Sequence, residues 1–295
     1  DSYVNANSVE NGNAYRSYVG GVVGFNGEGG HSFTNITSNI NVYGSTCDVG
    51  GAFGIAHYDN KFENITVSGN SGVEEGVFEL GIGGLSGSLR PADSDGTLVV
   101  TNSFTNKGNI TYDGSHIGSV NIGGIIGEFG IREAATWTST LVNVGNIICT
   151  GTFTTSAYAG GIAGIMREYT SAAYAVGAAS GANNAYPLYY PEEQYARIEY
   201  AVNEGAVGST GYAGGIAGYY WSAVQPSKEL RNVNSHRGGL QYCRNTGEIY
   251  ALEQATTNVG AIVGMPRIFV YSASTANDVA SYLSDGNWPI GVNNC

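Results

Sequence analysis

The chain has 295 residues, of which 46 are glycine and 21 tyrosine, while only 12% carry charge. Lysine and arginine total 12 against 24 aspartates and glutamates; the net charge of −12 argues against a nucleic-acid partner, which needs a basic surface, and against docking on anionic lipid. No apolar run approaches the roughly 18 residues that a membrane helix needs.

From the N-terminus onward the predicted elements repeat, and repeats are read before anything else. An apolar residue followed by Gly-Gly-x-x-Gly occurs at Val19–Gly24, Val49–Gly54, Ile82–Gly87, Ile122–Gly127, Ala159–Gly164 and Ala213–Gly218. The seventh copy, Val259–Gly264, has Ala261 for the second glycine. The signature restarts after 30, 33, 40, 37, 54 and 46 residues, so the unit has a short minimum and accepts insertions. A second column, Asn11, Asn35, Asn64, Asn106, Asn143, Asn203 and Asn245, falls once per repeat. Two residues before each stands a mostly apolar position: Val9, Phe33, Phe62, Phe104, Leu141, Ala201 and Cys243. Alternation along a strand places both on one face. An amide recurring in every coil can stack into an inward hydrogen-bonded ladder.

Each repeat is therefore read as strand, turn, strand with a Gly-Gly corner. A unit this short cannot bury its apolar side alone, and stacking supplies the core. The column Val22, Ala52, Leu85, Ile125, Ile162, Ile216 and Ile262 is that core. The predicted fold is all-β: a single-stranded parallel β-helix, or solenoid, of about seven coils over residues 1–264, roughly 30–35 Å long at about 4.8 Å per coil. Propeller blades need four strands, which the shortest repeats hardly supply.

Variable segments follow each corner, at Phe25–His31, Ile55–Lys61, Ser88–Asn102, Glu128–Thr140, Ile165–Arg197 and Tyr219–Gly239. Stacked corners send these loops to one flank. The two longest are rich in aromatics: Tyr169, Tyr174, Tyr186, Tyr189, Tyr190 and Tyr195 in one, Tyr219, Tyr220 and Trp221 in the other. Such a patch suits sugar rings or a protein partner, and it equally suits packing over the outer sheet. The predicted ligand face combines Tyr169, Tyr186, Tyr189, Tyr190, Tyr195, Tyr219, Tyr220 and Trp221 with Arg167. Residues 265–295 are expected to leave the solenoid and cover its last coil, with a short helix from Thr275 to Leu283 stopped by Gly286. The repeat columns begin at Val9, so a further stretch of chain or another subunit is expected to shield the first coil. The start at Asp1, without initiator Met or signal peptide, reads as a processed or excised piece.

Tyr158-Ala159-Gly160-Gly161-Ile162-Ala163-Gly164 and Tyr242-Cys243-Arg244-Asn245-Thr246-Gly247-Glu248-Ile249 resemble the bacterial GLUG-motif repeats, whose units run Gly-Gly-Ile-x-Gly and then Cys/Tyr-x-Asn-x-Gly-x-Ile. The likeness covers most of residues 1–264 and is looser where Asn-x-Gly is lacking, as at Phe33-Thr34-Asn35-Ile36-Thr37. The resemblance implies a secreted or surface-attached, adhesin-like bacterial protein, and it implies no catalytic residues.

Another column, His57, Arg90, Arg167, Trp221 and Arg267, with Arg132 displaced by two, lies beside Glu128, Glu133 and Glu168. A row of arginines with nearby carboxylates would suit an enzyme acting on an acidic polysaccharide. Solvated loop charges explain the same residues. Asp93-Ser94-Asp95-Gly96 has only the opening of a calcium loop. His31, His57, His116 and His236 are scattered, and no Cys-x-x-Cys occurs. No catalytic group, metal site or cofactor is expected.

Asn35, Asn64 and Asn109 stand in Asn-Ile-Thr sequons, but two of them are assigned to the inward ladder, which disfavours glycosylation. No threonine rank of the ice-binding kind is present. Cys47, Cys149, Cys243 and Cys295 are too few for a disulfide scaffold or a zinc site. Cys243 and Cys295 fall one coil apart and could pair, while buried small apolar side chains are the preferred reading for all four. The functional expectation is a non-enzymatic surface adhesion or structural module that binds a glycan or a host or cell-surface protein; the alternative is a carbohydrate-active β-helix enzyme.

Overall fold

A computed structural model describes residues 3–6, 9–10, 13–14, 17–26, 30–44, 47–57, 60–73, 80–90, 98–100, 103–116, 118–131, 135–137, 140–153, 156–168, 196–224, 239–252, 258–270, 291–293 and 295. Among these there is no helix, and the chain winds as a parallel β-helix. One coil shows the plan. Phe104–Asn106 lies in a six-stranded sheet, Ile110–Tyr112 in a second of seven strands, Ser119–Gly123 in a third of seven, and Ile126–Ile131 in a fourth of seven. Ala135–Trp137 adds a strand to a fifth sheet of five, which among the described residues begins at Leu98–Val100. The corner glycines lie in one row: Gly20, Gly50, Gly83, Gly123, Gly160, Gly214 and Gly260 are partners in parallel register.

The third and fourth sheets do not form an outer wall. They fold sharply at Gly-Gly and enter the coil as a wedge, dividing its interior into two cores. Val49, Ile82, Ile122, Ala159 and Ala213 on the third sheet pack with Val42, Ile110, Ile147 and Val207 of the second. Phe53, Phe129, Met166 and Tyr220 on the fourth pack with Phe62, Phe104, Leu141 and Ala201 of the first. The tip of the wedge meets the asparagine ladder. A Cβ on Gly124 would overlap the Gly161 carbonyl oxygen and the Asn143 side chain, and Gly161 stands against Asn203 in the same way. Glycine is required here for close approach.

The ladder is real from Asn106 onward. Asn106, Asn143, Asn203 and Asn245 are in register. The first three each donate Nδ2 to the next Oδ1, at 2.8, 2.8 and 2.7 Å. All four also close their own turns by donating to Gly108, Gly145, Gly205 or Gly247.

Asn35 and Asn64, expected in the ladder, do not stand in it. The ladder position there holds Ser38 and Val67, which are in register with Asn106. Asn35 and Asn64 sit three residues upstream, exposed, at a corner with φ of 58° and 53°, and Asn64 Nδ2 donates to Asn35 Oδ1 at 3.0 Å. Asparagine tolerates the left-handed region better than most side chains, which suits it to that corner. The argument against glycosylation from inward placement therefore falls for both. Asn11 lies outside the described residues, and Val9 belongs to a short hairpin, Val9–Glu10 with Asn13–Ala14, not to the ladder sheet.

A second asparagine row runs beside the ladder. Asn41, Asn70, Asn109 and Asn146 each accept, through Oδ1, the backbone N–H of the next coil, at 2.9 to 3.0 Å.

The variable segments are only partly loops. Fourth-sheet strands run into them, as Ala163–Glu168 and Ala217–Val224 do, and the fifth-sheet strands Leu98–Val100 and Ala135–Trp137 lie within them. The chain also continues the solenoid past 264. Val263–Val270 pairs with Ala217–Val224, and Gly291–Asn293 pairs with Gly239–Gln241. The expected helix from Thr275 to Leu283 lies outside the described residues. The end coils expose what inner coils bury: Val22 is 45% exposed and Phe25 58%, whereas Ala52, Ile125, Ile162 and Ile216 are fully buried.

Candidate functional site

The wedge brings the third and fourth sheets back to back, and aromatic side chains gather along this seam. A Cβ on Gly54 would meet the Val19 nitrogen, so glycine in this row sets how closely the two sheets approach. At one end Tyr18 stacks on Phe25 with centroids 5.3 Å apart. Further along, Tyr158 stacks on Tyr212, its register partner, at 5.3 Å and 17°, and on Tyr219 of the opposed sheet at 4.8 Å and 24°. Tyr158 and Tyr212 are half-buried, so this triple stack reaches the surface. Between the aromatic groups the seam carries polar side chains alongside Ile55 and Ile165. Asp48, Ser88, Asn121 and Glu128 are buried there, and Asp48 Oδ1 accepts the Gly81 N–H at 2.9 Å.

A second aromatic pair stands on the opposite, ladder-bearing side. Tyr200 and Tyr242 stack at 5.3 Å and 11° while remaining 49% and 48% exposed. Both are at positive φ, 58° and 54°, in the corner column that Asn35 and Asn64 occupy earlier. Neither Tyr158–Tyr212 nor Tyr200–Tyr242 is among the ligand residues expected from the sequence. The signal was available: Tyr200 and Tyr242 each precede a ladder asparagine by three, and Tyr158 and Tyr212 each stand one before the apolar residue of a corner.

Of the expected ligand residues, Tyr169, Tyr186, Tyr189, Tyr190 and Tyr195 lie outside the described residues. Tyr220 is fully buried among core side chains, because the strand Ala217–Val224 alternates and turns it inward. As placed, it presents no surface to a ligand. Tyr219, 8% exposed, belongs to the seam stack. Trp221 is in register with Arg167 on one side and Arg267 on the other, two positions beyond Tyr219 on its strand. The column continues through Gly130 in the fourth coil, and Arg90 pairs with His57 in the earlier ones. Arg132, Glu133, Asp93 and Asp95 lie outside the described residues.

Among the described residues no three His, Cys, Asp or Glu side chains are placed to hold a metal ion, and no helix is long and apolar enough to cross a membrane. Burial pushes the Cys149 thiol well above its usual range. The neighbouring Cys295 thiol, together with burial, does the same to Cys243. What the arrangement offers chemically is stacked tyrosine faces and edges with hydroxyl and carboxylate neighbours. No protein-family model, curated protein or solved structure matches the chain.

Proposed function

We propose that the chain is a non-enzymatic β-solenoid module of a secreted or cell-surface bacterial protein, serving adhesion or structure, and that it binds a glycan or a surface protein through its stacked tyrosines. The observation that carries this is the pairing of surface-reaching rings from successive coils: Tyr158 with Tyr212, and Tyr200 with Tyr242. Rings repeated at the coil spacing give a rigid, amphipathic platform whose entropy loss on binding is small, because the backbone ladder already holds each ring. The resemblance of the repeats to GLUG-motif proteins supports the surface location and the adhesive role. The acidic surface favours a neutral or basic partner over an anionic one.

The test is a glycan-array and host-matrix binding screen run beside a reducing-end release assay on uronate polymers. Binding that weakens roughly five- to tenfold for each of Tyr212→Ala and Tyr242→Ala, with no product released, is the expected result. Release of unsaturated sugars would overturn it in favour of a polysaccharide-cleaving enzyme using the arginine row. Trp221→Ala tests whether the face extends along the Arg167–Trp221–Arg267 register.

A further inference from the structure

We propose that Cys243 and Cys295 form a disulfide that clamps the C-terminal strand onto the last coil. Gly291–Asn293 pairs in parallel with Gly239–Gln241, with Gln241 opposite Asn293. Each cysteine lies two residues beyond that pair, so the same register carries them to adjacent positions in one core column. Neighbouring strands are about 4.8 Å apart, inside the Cα separation of roughly 4.4–6.8 Å that a disulfide spans. The contacts agree. The Cys243 N–H donates to Cys295 Sγ at 3.2 Å, and the Cys295 thiol donates to the Leu240 carbonyl at 3.5 Å. Below them the same column holds Phe104, Leu141 and Ala201, all buried.

The two thiols differ in access, and this orders the chemistry. Cys295 is exposed and Cys243 is 2% exposed. The Cys295 thiolate attacks a small-molecule disulfide such as glutathione disulfide, releasing one thiolate and leaving a mixed disulfide on Cys295. Cys243 then loses its proton to solvent and attacks Cys295 Sγ, expelling the second thiolate. Two protein thiols and one external disulfide thus give one protein disulfide and two small thiols. The neighbouring Cys295 thiol is the largest cause of the raised Cys243 titration, and the first step removes it. The bond would close a loop of 51 intervening residues and tie the strand Gly291–Asn293 to Gly239–Gln241.

The experiment uses the full chain, treated with glutathione disulfide and digested without reduction for peptide mass mapping. The expected result is one linked pair containing Cys243 and Cys295, lighter than the free peptides by two hydrogen atoms, and abolished by reductant. Cys243→Ser should instead trap the glutathione adduct on Cys295. In limited proteolysis the oxidised chain should keep its C-terminal fragment attached, and the reduced chain should lose it. Recovery of both cysteines as alkylatable thiols after oxidation, or a link from either to a different cysteine, overturns the proposal.

Discussion

Asn143 donates to Gly145 and to Asn203 and accepts from Asn106, all at 2.8 Å and with no exposure to solvent. Removing it strands a buried donor on one neighbour and a buried acceptor on the other, each worth about 1–3 kcal/mol. Asn143→Ala should therefore lower stability by about 3–5 kcal/mol in urea unfolding. Asn35→Gly should change it by under about 0.5 kcal/mol, since glycine accepts the positive φ and the site is exposed. Equal losses would mean that Asn35 belongs to the ladder after all. Ser71 is the complementary case. It stands between Val42 and Ile110 in an apolar column, is fully buried, and its hydroxyl has no hydrogen-bond partner among the described residues. Ser71→Val should stabilise the chain by about 1 kcal/mol, read as a higher urea midpoint at unchanged slope.

At the scale of the element, the Gly-Gly corner works as the point of a wedge, and the residue behind each second glycine explains the motif better than turn geometry does. The ladder amide of the next coil fills the space where a Cβ would stand, as Asn143 does for Gly124 and Asn245 for Gly215. The exception follows from the same packing: Ala261, in the last full corner, is exposed. Gly124→Ala should cost more than about 4 kcal/mol or prevent folding, while Ala261→Gly should cost under about 1 kcal/mol. Comparison of their thermal midpoints checks the pair, and similar small effects would show that the corner yields readily.

Over the whole molecule, two cores run side by side along the stack, and each coil rests chiefly on its neighbours. Such arrays gain stability from nearest-neighbour interfaces. Cys149 reports on one of these cores. It is fully buried, and burial holds its thiol protonated well above the ordinary value of 9.0, the first and largest cause. An unfolded thiol ionises near that ordinary value and the folded one does not. The stabilising difference is thus fully present below it and declines as pH rises past about 9. Urea unfolding between about pH 8 and 10 should show this decline, shallower in Cys149→Ala, with iodoacetamide sparing Cys149 until unfolding. Labelling of Cys149 at the rate of an exposed thiol in the folded chain would contradict its placement.

Periodicity alone determined the fold class, the corner row and the ladder from Asn106 onward, because coil stacking forces like residues into columns and leaves that imprint in spacing. Spacing from a single apolar residue cannot fix phase, however. Phe33-x-Asn35 and Phe62-x-Asn64 mimic Phe104-x-Asn106 while lying three residues out of register with it. Only the three-dimensional pairing showed that a left-handed corner intervenes. The wedge was likewise hidden, since a sharp fold and a gentle bend share the same glycines, and what distinguishes them is contact between residues a coil apart. The stacked tyrosines became neighbours for the same reason: Tyr158 meets Tyr212 across 54 positions of sequence, and only the rise of one coil brings them together.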